Sequence, residues 1–312
     1  MPQAVIFTGQ GSQFVGMGAD LAEHSSAARA ILAEAEAVMP GITNQCLNGP
    51  VEALNDTANT QPAIYVVEMA LWHALAERYT VRLCDIALMA GHSLGEYSAL
   101  AAAGVFGFSD GLRLVMARGQ AMRAAGQQEP GGMLVVLGLE DAAADALVED
   151  LRAIGQQVWA ANYNAPGQVV MAGSAAGLAA LQPRALELGA KRCIPLAVSV
   201  ACHTPLMASA AEGLAEAMES VTFREAQVPV VCNADATPLC EPDAIRDALI
   251  RQLSSPVRWV ESVLAMHACG VTAMLELGPK AVLAGLVQRI TREISVTSLS
   301  DYNALTTITW ED

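Results

Sequence analysis

No segment limits the fold of this chain more tightly than residues 86–103. An apolar run at 86–90 leads straight into Gly91-His92-Ser93-Leu94-Gly95, and residues 96–103 continue as a small-residue stretch with helical spacing. A buried strand that reverses into a helix over so few residues must hold its central residue in a strained backbone. Glycines on either side remove the Cβ atoms that would collide across the turn. The pattern predicts a strand, a sharp elbow centred on Ser93, and a helix beginning beside it. The Ser93 hydroxyl is then held out at the carboxyl end of a sheet, facing a helix N-terminus that favours negative charge. A chance Gly-x-Ser-x-Gly in a Gly- and Ala-rich chain is the alternative, and the strand before it and helix after it weigh against that.

The rest of the chain alternates strand and helix. A short apolar run at 5–7 ends at Gly9 and reads as a buried strand, and residues 17–38 read as one Ala-rich helix. Thr60-Gln61-Pro62 marks the start of a helix over 60–78, and Ser109-Asp110 caps another over 109–125. After the break at 127–132 come strand 133–138, helix 141–154, strand 157–161, strand 168–172, helix 174–189 and strand 191–196. This βαββαβ order is ferredoxin-like and predicts a small inserted subdomain at 128–197. Residues 1–127 and 198–312 then form the main body, an α/β-hydrolase-like core with a mostly parallel sheet covered on both faces. Its later elements are a strand at 228–232, helices at 243–254 and 256–269, a strand at 273–277 and a helix at 279–293. Residues 302–312 carry no readable pattern.

Composition excludes several function classes. The chain has 312 residues, of which 53% are apolar and only 4% aromatic, so small aliphatic side chains must fill a sizeable core. The net charge is −15 and the only lysines are Lys191 and Lys280, so no basic face is available for nucleic acid. Seven cysteines with no CxxC pair read as reduced thiols in a cytoplasmic protein, without a disulfide frame or zinc site. No apolar run is long enough to predict a membrane span, and the first residues lack the charged region of a signal peptide.

A serine alcohol needs a base to act as a nucleophile. His24 and His73 fall in helical stretches, and His267 lies in an apolar helix. His92 adjoins the serine, on a turn whose neighbouring side chains point apart. His203, in Ser199-Val200-Ala201-Cys202-His203-Thr204-Pro205, follows a strand and precedes a helix. Loops at strand ends are where reactive side chains concentrate. The order serine then histidine is also that of α/β hydrolases. A buried structural histidine is the other reading of His203, and spacing alone leaves the two open.

Further segments extend the pattern beyond a generic hydrolase. They are Phe7-Thr8-Gly9-Gln10-Gly11-Ser12-Gln13, Thr60-Gln61-Pro62-Ala63, Glu96-Tyr97-Ser98-Ala99 after the elbow, and Met116-Ala117-Arg118-Gly119-Gln120-Ala121-Met122. Later come Asn162-Tyr163-Asn164-Ala165-Pro166-Gly167-Gln168, the stretch around His203, Arg251-Gln252-Leu253 with Pro256-Val257-Arg258-Trp259, and Glu276-Leu277-Gly278-Pro279. In these segments, spread over residues 4–300, the chain resembles the malonyl-CoA:acyl-carrier-protein transacylases of bacterial fatty-acid synthesis and the related polyketide acyltransferases.

The resemblance implies transfer of a malonyl group from coenzyme A to the phosphopantetheine thiol of an acyl carrier protein. It would proceed by ping-pong through a malonyl-Ser93 ester, in a monomer and without a metal or redox cofactor. Ser93 would be the nucleophile and His203 its base, oriented by the carbonyl oxygen of Gln252. The backbone N–H groups of Gln10 and Leu94 would form the oxyanion hole. Arg118 would pair with the malonyl carboxylate, whose geometry suits a planar guanidinium fork. Met122, Cys202 and Asn162 would complete the substrate site. A stand-alone acyltransferase serving a polyketide synthase, a malonate-decarboxylase component and a serine hydrolase of acyl thioesters are the competing readings.

Two residues depart from the family pattern. Thr8 stands where many members carry proline, with little effect expected. Cys202 stands where phenylalanine or serine is more usual, and a small residue there leaves room beside the malonyl C2. Carrier proteins are acidic, as this chain is, so docking would fall to local basic residues: Lys191, Arg192, Lys280, Arg289 and Arg292.

Overall fold

The computed structural model describes residues 4–79 and 81–308. The chain opens with β1 (Ala4–Phe7), followed by α1 (Ala19–His24), α2 (Ser26–Val38), α3 (Ile42–Asn48), α4 (Val51–Leu54) and α5 (Thr57–Arg78). Strand β2 (Leu88–Gly91) runs into the elbow, and α6 (Gly95–Ala102) and α7 (Phe108–Gln128) follow it. Next come β3 (Gly131–Leu137), α8 (Asp141–Ala153), β4 (Val158–Ala165), β5 (Gln168–Ser174), α9 (Ala175–Glu187) and β6 (Arg192–Pro195). The remainder is α10 (Ala208–Met218), β7 (Val230–Cys232), β8 (Thr237–Leu239), α11 (Pro242–Gln252), α12 (Trp259–Ala268), β9 (Ala273–Leu277), α13 (Leu283–Ile290), β10 (Ser295–Leu299) and α14 (Tyr302–Thr307).

The strands form two sheets. One has the order β10-β9-β1-β2-β7-β8, parallel throughout except for the β7–β8 hairpin at its edge. Strands such as Ala-Val-Ile-Phe in β1 are apolar without alternation because helices cover both faces. The other sheet has the order β4-β5-β3-β6 with every pair antiparallel, and its strands lie between residues 131 and 195. Helices α8 and α9 pack with it through Leu147, Leu151, Leu181 and Ala185. Backbone hydrogen bonds link the antiparallel sheet to the main body. Tyr163 donates to the Val257 carbonyl at 2.9 Å and Val257 donates to the Ala161 carbonyl at 2.8 Å, forming a parallel bridge from β4 to the segment before α12.

Several boundaries differ from the sequence expectation, each for a local reason. The helix expected over 17–38 is two, because Ser25 is extended and caps α2 by accepting from the Ala28 N–H. Helix α5 begins before Thr60: the Asp56 carboxylate accepts from the Ala58 N–H, and Pro62 falls inside the helix. The helix expected from residue 256 begins only at Trp259, because Val257 is committed to the bridge with β4. The helix expected over 279–293 is confined to α13. The patternless tail contains the short α14, capped by Asp301; residues 309–312 lie outside the described residues. Among the described residues, no helix is long and apolar enough to cross a membrane. All seven cysteines are unpaired.

Glu276 explains where α13 starts. This buried carboxylate accepts the N–H groups of Val282 at 2.7 Å, Leu283 at 2.5 Å and Ala284 at 3.1 Å, together with the Ser298 hydroxyl at 2.5 Å. It satisfies donors that a helix N-terminus otherwise leaves open. Glu276→Ala is expected to cost about 3 kcal/mol, since buried N–H groups lose their acceptor. A urea midpoint that stayed at the wild-type value would refute this role.

Candidate active site

The site is assembled at the carboxyl ends of the parallel strands, where open α/β sheets place their ligand crevices. Phe7 of β1 is in register with Gly91 of β2, and Val231 of β7 with Ala90. The loop Thr8–Gln10, the elbow and Asn233 therefore emerge side by side. The glycines are required by contact. A Cβ on Gly91 would lie 1.9 Å from the Gly95 carbonyl carbon, and one on Gly95 would lie 2.2 Å from the Thr8 oxygen. A Cβ on Gly9 would fall 2.5 Å from the His92 carbonyl oxygen, so the loop after β1 rests directly on the elbow.

Ser93 has φ 52°, the strained conformation expected of an elbow residue. It is held by Asn233, whose Oδ1 accepts from the Ser93 N–H at 2.6 Å while its Nδ2 donates to the Gly91 carbonyl at 2.7 Å. His203 is also left-handed, with φ 60°, and its Nε2 lies 2.8 Å from Ser93 Oγ. Its Nδ1 lies 2.8 Å from the backbone carbonyl of Gln252, which fixes the tautomer with Nε2 free to accept the serine proton. Burial, and then the Arg118 charge, push the His203 imidazole down to about 3. It is therefore a neutral base at physiological pH.

The Gln252 side chain does something different from its backbone. Its Nε2 donates to the Ser93 carbonyl and to Glu96 Oε2, both at 2.9 Å, and its Oε1 accepts from Arg118 Nη2 at 3.0 Å. Glu96 also accepts the Asn233 N–H at 2.8 Å, and burial raises its carboxyl to about 6.

Arg118 is 1% exposed. Its Nη1 donates to Gln61 Oε1 at 2.6 Å and its Nη2 to Ser93 Oγ at 3.0 Å, while its Nε has no acceptor. The guanidinium carbon sits 5.4 Å from the Tyr97 ring centre. No carboxylate among the described residues forms an ion pair with it. By contrast Arg113 and Arg123, on the same helix, form ordinary surface pairs with Asp110 and Asp56. A buried guanidinium whose contacts are a hydroxyl and amides is poised to receive an anion beside Ser93.

The other expected site residues are placed as follows. Met122 is buried, and its sulfur accepts at 3.3 Å from the Nε2 of Gln61, whose Oε1 accepts from Arg118. Cys202 is buried directly before His203, and burial raises its thiol to about 11. Asn162 is buried on β4 opposite Val257. The N–H groups of Gln10 and Leu94 take no acceptor among the described residues, as donors reserved for a ligand would. The Gln10 side chain instead accepts from Thr57 Oγ1 at 3.1 Å. Of the other histidines, His92 turns away from Ser93 to Asn164 Oδ1 at 2.7 Å, and His267 pairs with Glu293 at 2.8 Å. Asn233, Gln61 and Glu96 were not anticipated as site residues; the available signals were the position of Asn233 immediately after a strand and the place of Gln61 and Glu96 in segments that carry the resemblance.

Comparison with known proteins gives a consistent result. The acyl transferase domain family matches residues 5–308. The malonyl CoA-acyl carrier protein transacylase of Salmonella typhimurium is 44% identical over 308 residues, 97% of each chain. A crystal structure of an acyl carrier protein S-malonyltransferase from Vibrio cholerae aligns with TM-score 0.93 and 42% identity, covering 98% of this chain and 99% of that one. A type II PKS acyl-carrier protein in complex with its malonyl-transacylase aligns with the same score and identity over 97% of each chain.

Because the His203 base form persists far below the usual imidazole range, the reactivity of Ser93 should not fall on mild acidification. The rate of labelling by a fluorophosphonate probe is expected to be flat from neutrality down to about pH 5 in Glu96→Gln, a variant that removes the site carboxyl pushed up to about 6. An inflection near the ordinary imidazole value of about 6.5 would mean that His203 titrates as a solvated side chain.

Proposed function

This chain belongs to the acyl transferase domain family, among the malonyl CoA-acyl carrier protein transacylases, and on that premise we infer that it moves a malonyl group from coenzyme A to the thiol of an acyl carrier protein. The observation that carries the reading is Arg118, a buried guanidinium within hydrogen-bond reach of the Ser93 hydroxyl. A malonyl carboxylate supplies the anion this group lacks. An acetyl thioester would leave the charge desolvated and unpaired, which disfavours it.

The geometry supports a two-stage cycle. Ser93 Oγ attacks the thioester carbonyl and its proton passes to His203 Nε2. The developing oxyanion is received by the Gln10 and Leu94 N–H groups, and the coenzyme A thiolate leaves with the proton from His203. In the second stage the carrier thiol gives its proton to His203 and attacks the malonyl-Ser93 ester, and Ser93 Oγ leaves as its C–O bond breaks, taking the proton back from His203. The residues used are titratable side chains and backbone donors, so no metal or redox group enters these steps.

The docking of the carrier protein is the second part of this reading. Lys191 packs beside Gly138, where a Cβ would lie 2.8 Å from its Cγ, and the Gly138 N–H donates to the Gly167 carbonyl at 2.7 Å. The adjoining Pro166 carbonyl accepts from Arg289 Nη2 at 3.0 Å. Lys191 and Arg289 thus flank one turn of the antiparallel sheet, with Arg292 just beyond α13, and this basic group complements an acidic partner. Lys280 is engaged with the Gln13 carbonyl and the Phe14 ring.

Intact-protein mass spectrometry after mixing with malonyl-CoA should find a malonyl adduct that Ser93→Ala abolishes and that a carrier protein removes. Arg118→Ala should slow malonyl loading on the order of 100-fold, equivalent to about 3 kcal/mol for the lost charged hydrogen bonds. In the same assay Cys202→Phe should lower the methylmalonyl-to-malonyl ratio by filling the space beside C2. Free malonate accumulating in place of an adduct would make hydrolysis the better reading. Separately, Lys191→Glu with Arg292→Glu should raise the carrier-protein KM and leave loading from malonyl-CoA unchanged. An unaltered KM would remove this docking face.

A further inference from the structure

Beneath the loop after β1 lies a chain of buried polar groups that the transfer steps do not use. Glu68 of α5 is fully buried with no cation paired to it among the described residues. Its Oε2 accepts the Ser98 hydroxyl at 2.6 Å, and Ser98 belongs to the helix that starts at the elbow. Its Oε1 lies 2.7 Å from Thr8 Oγ1. Thr8 Oγ1 lies 3.1 Å from Ser12 Oγ, which in turn donates to the Gly9 carbonyl at 2.9 Å. The Gly9 carbonyl and the Gln10 N–H are the two ends of one peptide unit.

Proton counting gives this chain a direction. Each hydroxyl has a single proton. Ser12 spends its proton on the Gly9 carbonyl, so it must accept from Thr8. Thr8 has then used its own proton and must accept from Glu68. The chain is complete only when Glu68 is a neutral acid donating its O–H. Burial without a cation raises the Glu68 carboxyl to about 8, outweighing the lowering by its contacts with Ser98 and Thr8, and Glu276 of β9 adds to the rise. Other charged groups around α5 are engaged elsewhere: Arg118 of α7 with Gln61 and Ser93, Glu96 of α6 with Gln252, Glu34 of α2 with Ser109, and Glu77 of α5 itself with Ser25.

We propose that Glu68, Thr8 and Ser12 are positioning residues that act through the Gly9–Gln10 peptide, aiming and polarising the Gln10 N–H that receives the oxyanion. Hydrogen bonds in series polarise one another, and a donor on a peptide carbonyl strengthens the N–H at its other end. The Ser98 contact ties the same carboxyl to the helix carrying the second donor, Leu94. The residue at position 8 is then a working part of the site, contrary to the expectation of little effect there.

The inference rests on the oxyanion role of Gln10 but not on the identity of the acyl group. It is therefore tested with a fluorophosphonate, which forms a tetrahedral adduct at Ser93 whatever the natural substrate. Thr8→Val should lower the maximal labelling rate by about tenfold, a fraction of the roughly 10²–10³ lost when such a donor is removed outright. The half-saturating probe concentration should not move, and Thr8→Ser should restore the rate. Glu68→Gln keeps a donor toward Thr8 and an acceptor for Ser98 but cannot ionise. Its readout is the ratio of its labelling rates above and below about pH 8, not its absolute rate. The wild type should lose rate as pH rises through about 8, because the relay is intact while Glu68 holds its proton and broken above that; Glu68→Gln should lack this decline. A Thr8→Val protein that labels at the wild-type rate, or a Glu68→Gln protein with the wild-type alkaline decline, overturns the proposal. Failure of malonyl-CoA to load Ser93, with the Thr8→Val effect intact, would instead overturn the substrate reading alone.

Discussion

The whole site depends on the side-chain amide of Asn233 bridging the two ends of the elbow. It accepts the Ser93 N–H and donates to the Gly91 carbonyl, and by doing so it holds Ser93 in the left-handed region. Such a backbone costs on the order of 1–3 kcal/mol and persists only where surrounding contacts over-determine it. Asn233 can act there because β7 lies next to β2 in parallel register, so the residue after one strand reaches the turn after the other. Release of this bridge would let the elbow relax, and the distance from Ser93 to His203 would no longer be fixed. Topology thus precedes chemistry here: the strand order decides which side chains can support the nucleophile.

A second constraint is electrostatic. The reacting pair adjoins the buried side chains of Arg118, Glu96 and Gln252. Burial, and then the opposing charge of Arg118, keep the His203 imidazole neutral, while the guanidinium is met by oxygens of Ser93, Gln61 and Gln252 and by the Tyr97 ring. Glu96 is close enough to be influenced by Arg118, yet its carboxyl rises to about 6 because burial outweighs that attraction. The site accordingly holds charge that its own carboxylates do not neutralise. In a buried location this is costly for stability and is retained where an anionic ligand completes it.

Much of this was legible in the sequence where a residue type is demanded by immediate contact. Gly91 and Gly95 could be read because no other residue fits atoms less than 2.5 Å from the Cβ position. The place of His203 between a strand and a helix left two readings open until the resemblance assigned it as the base, while the βαββαβ order could be read from the spacing of its apolar runs. The support network could not. Asn233 lies 140 positions from Ser93, and an asparagine after a short strand looks like any turn residue. Gln61 and Glu96 stood within recognisable segments, but their roles depend on which helix faces which. Helix starts failed for a related reason. Pro62 resembles a first-turn proline, and the Asp56 cap that sets the true start is visible only once its carboxylate is seen to accept from Ala58.

The antiparallel subdomain is bound into the same chemistry. Its strand β4 pairs with Val257, which lies in the segment that follows Gln252 and leads into α12. That segment begins at the carbonyl orienting His203 and ends where Arg258 donates to the Asn233 carbonyl at 3.0 Å. One stretch of backbone therefore connects the base, the residue supporting the nucleophile and the second sheet. A movement of β4 relative to the parallel sheet would be felt at residues 252–258 and, through the contact of Asn164 with His92, at the elbow itself. The helix expected to begin at residue 256 is displaced to Trp259 for this reason: residues that could have been helical are spent on the bridge, and the bridge is what keeps the histidine loop and the subdomain in a fixed relation.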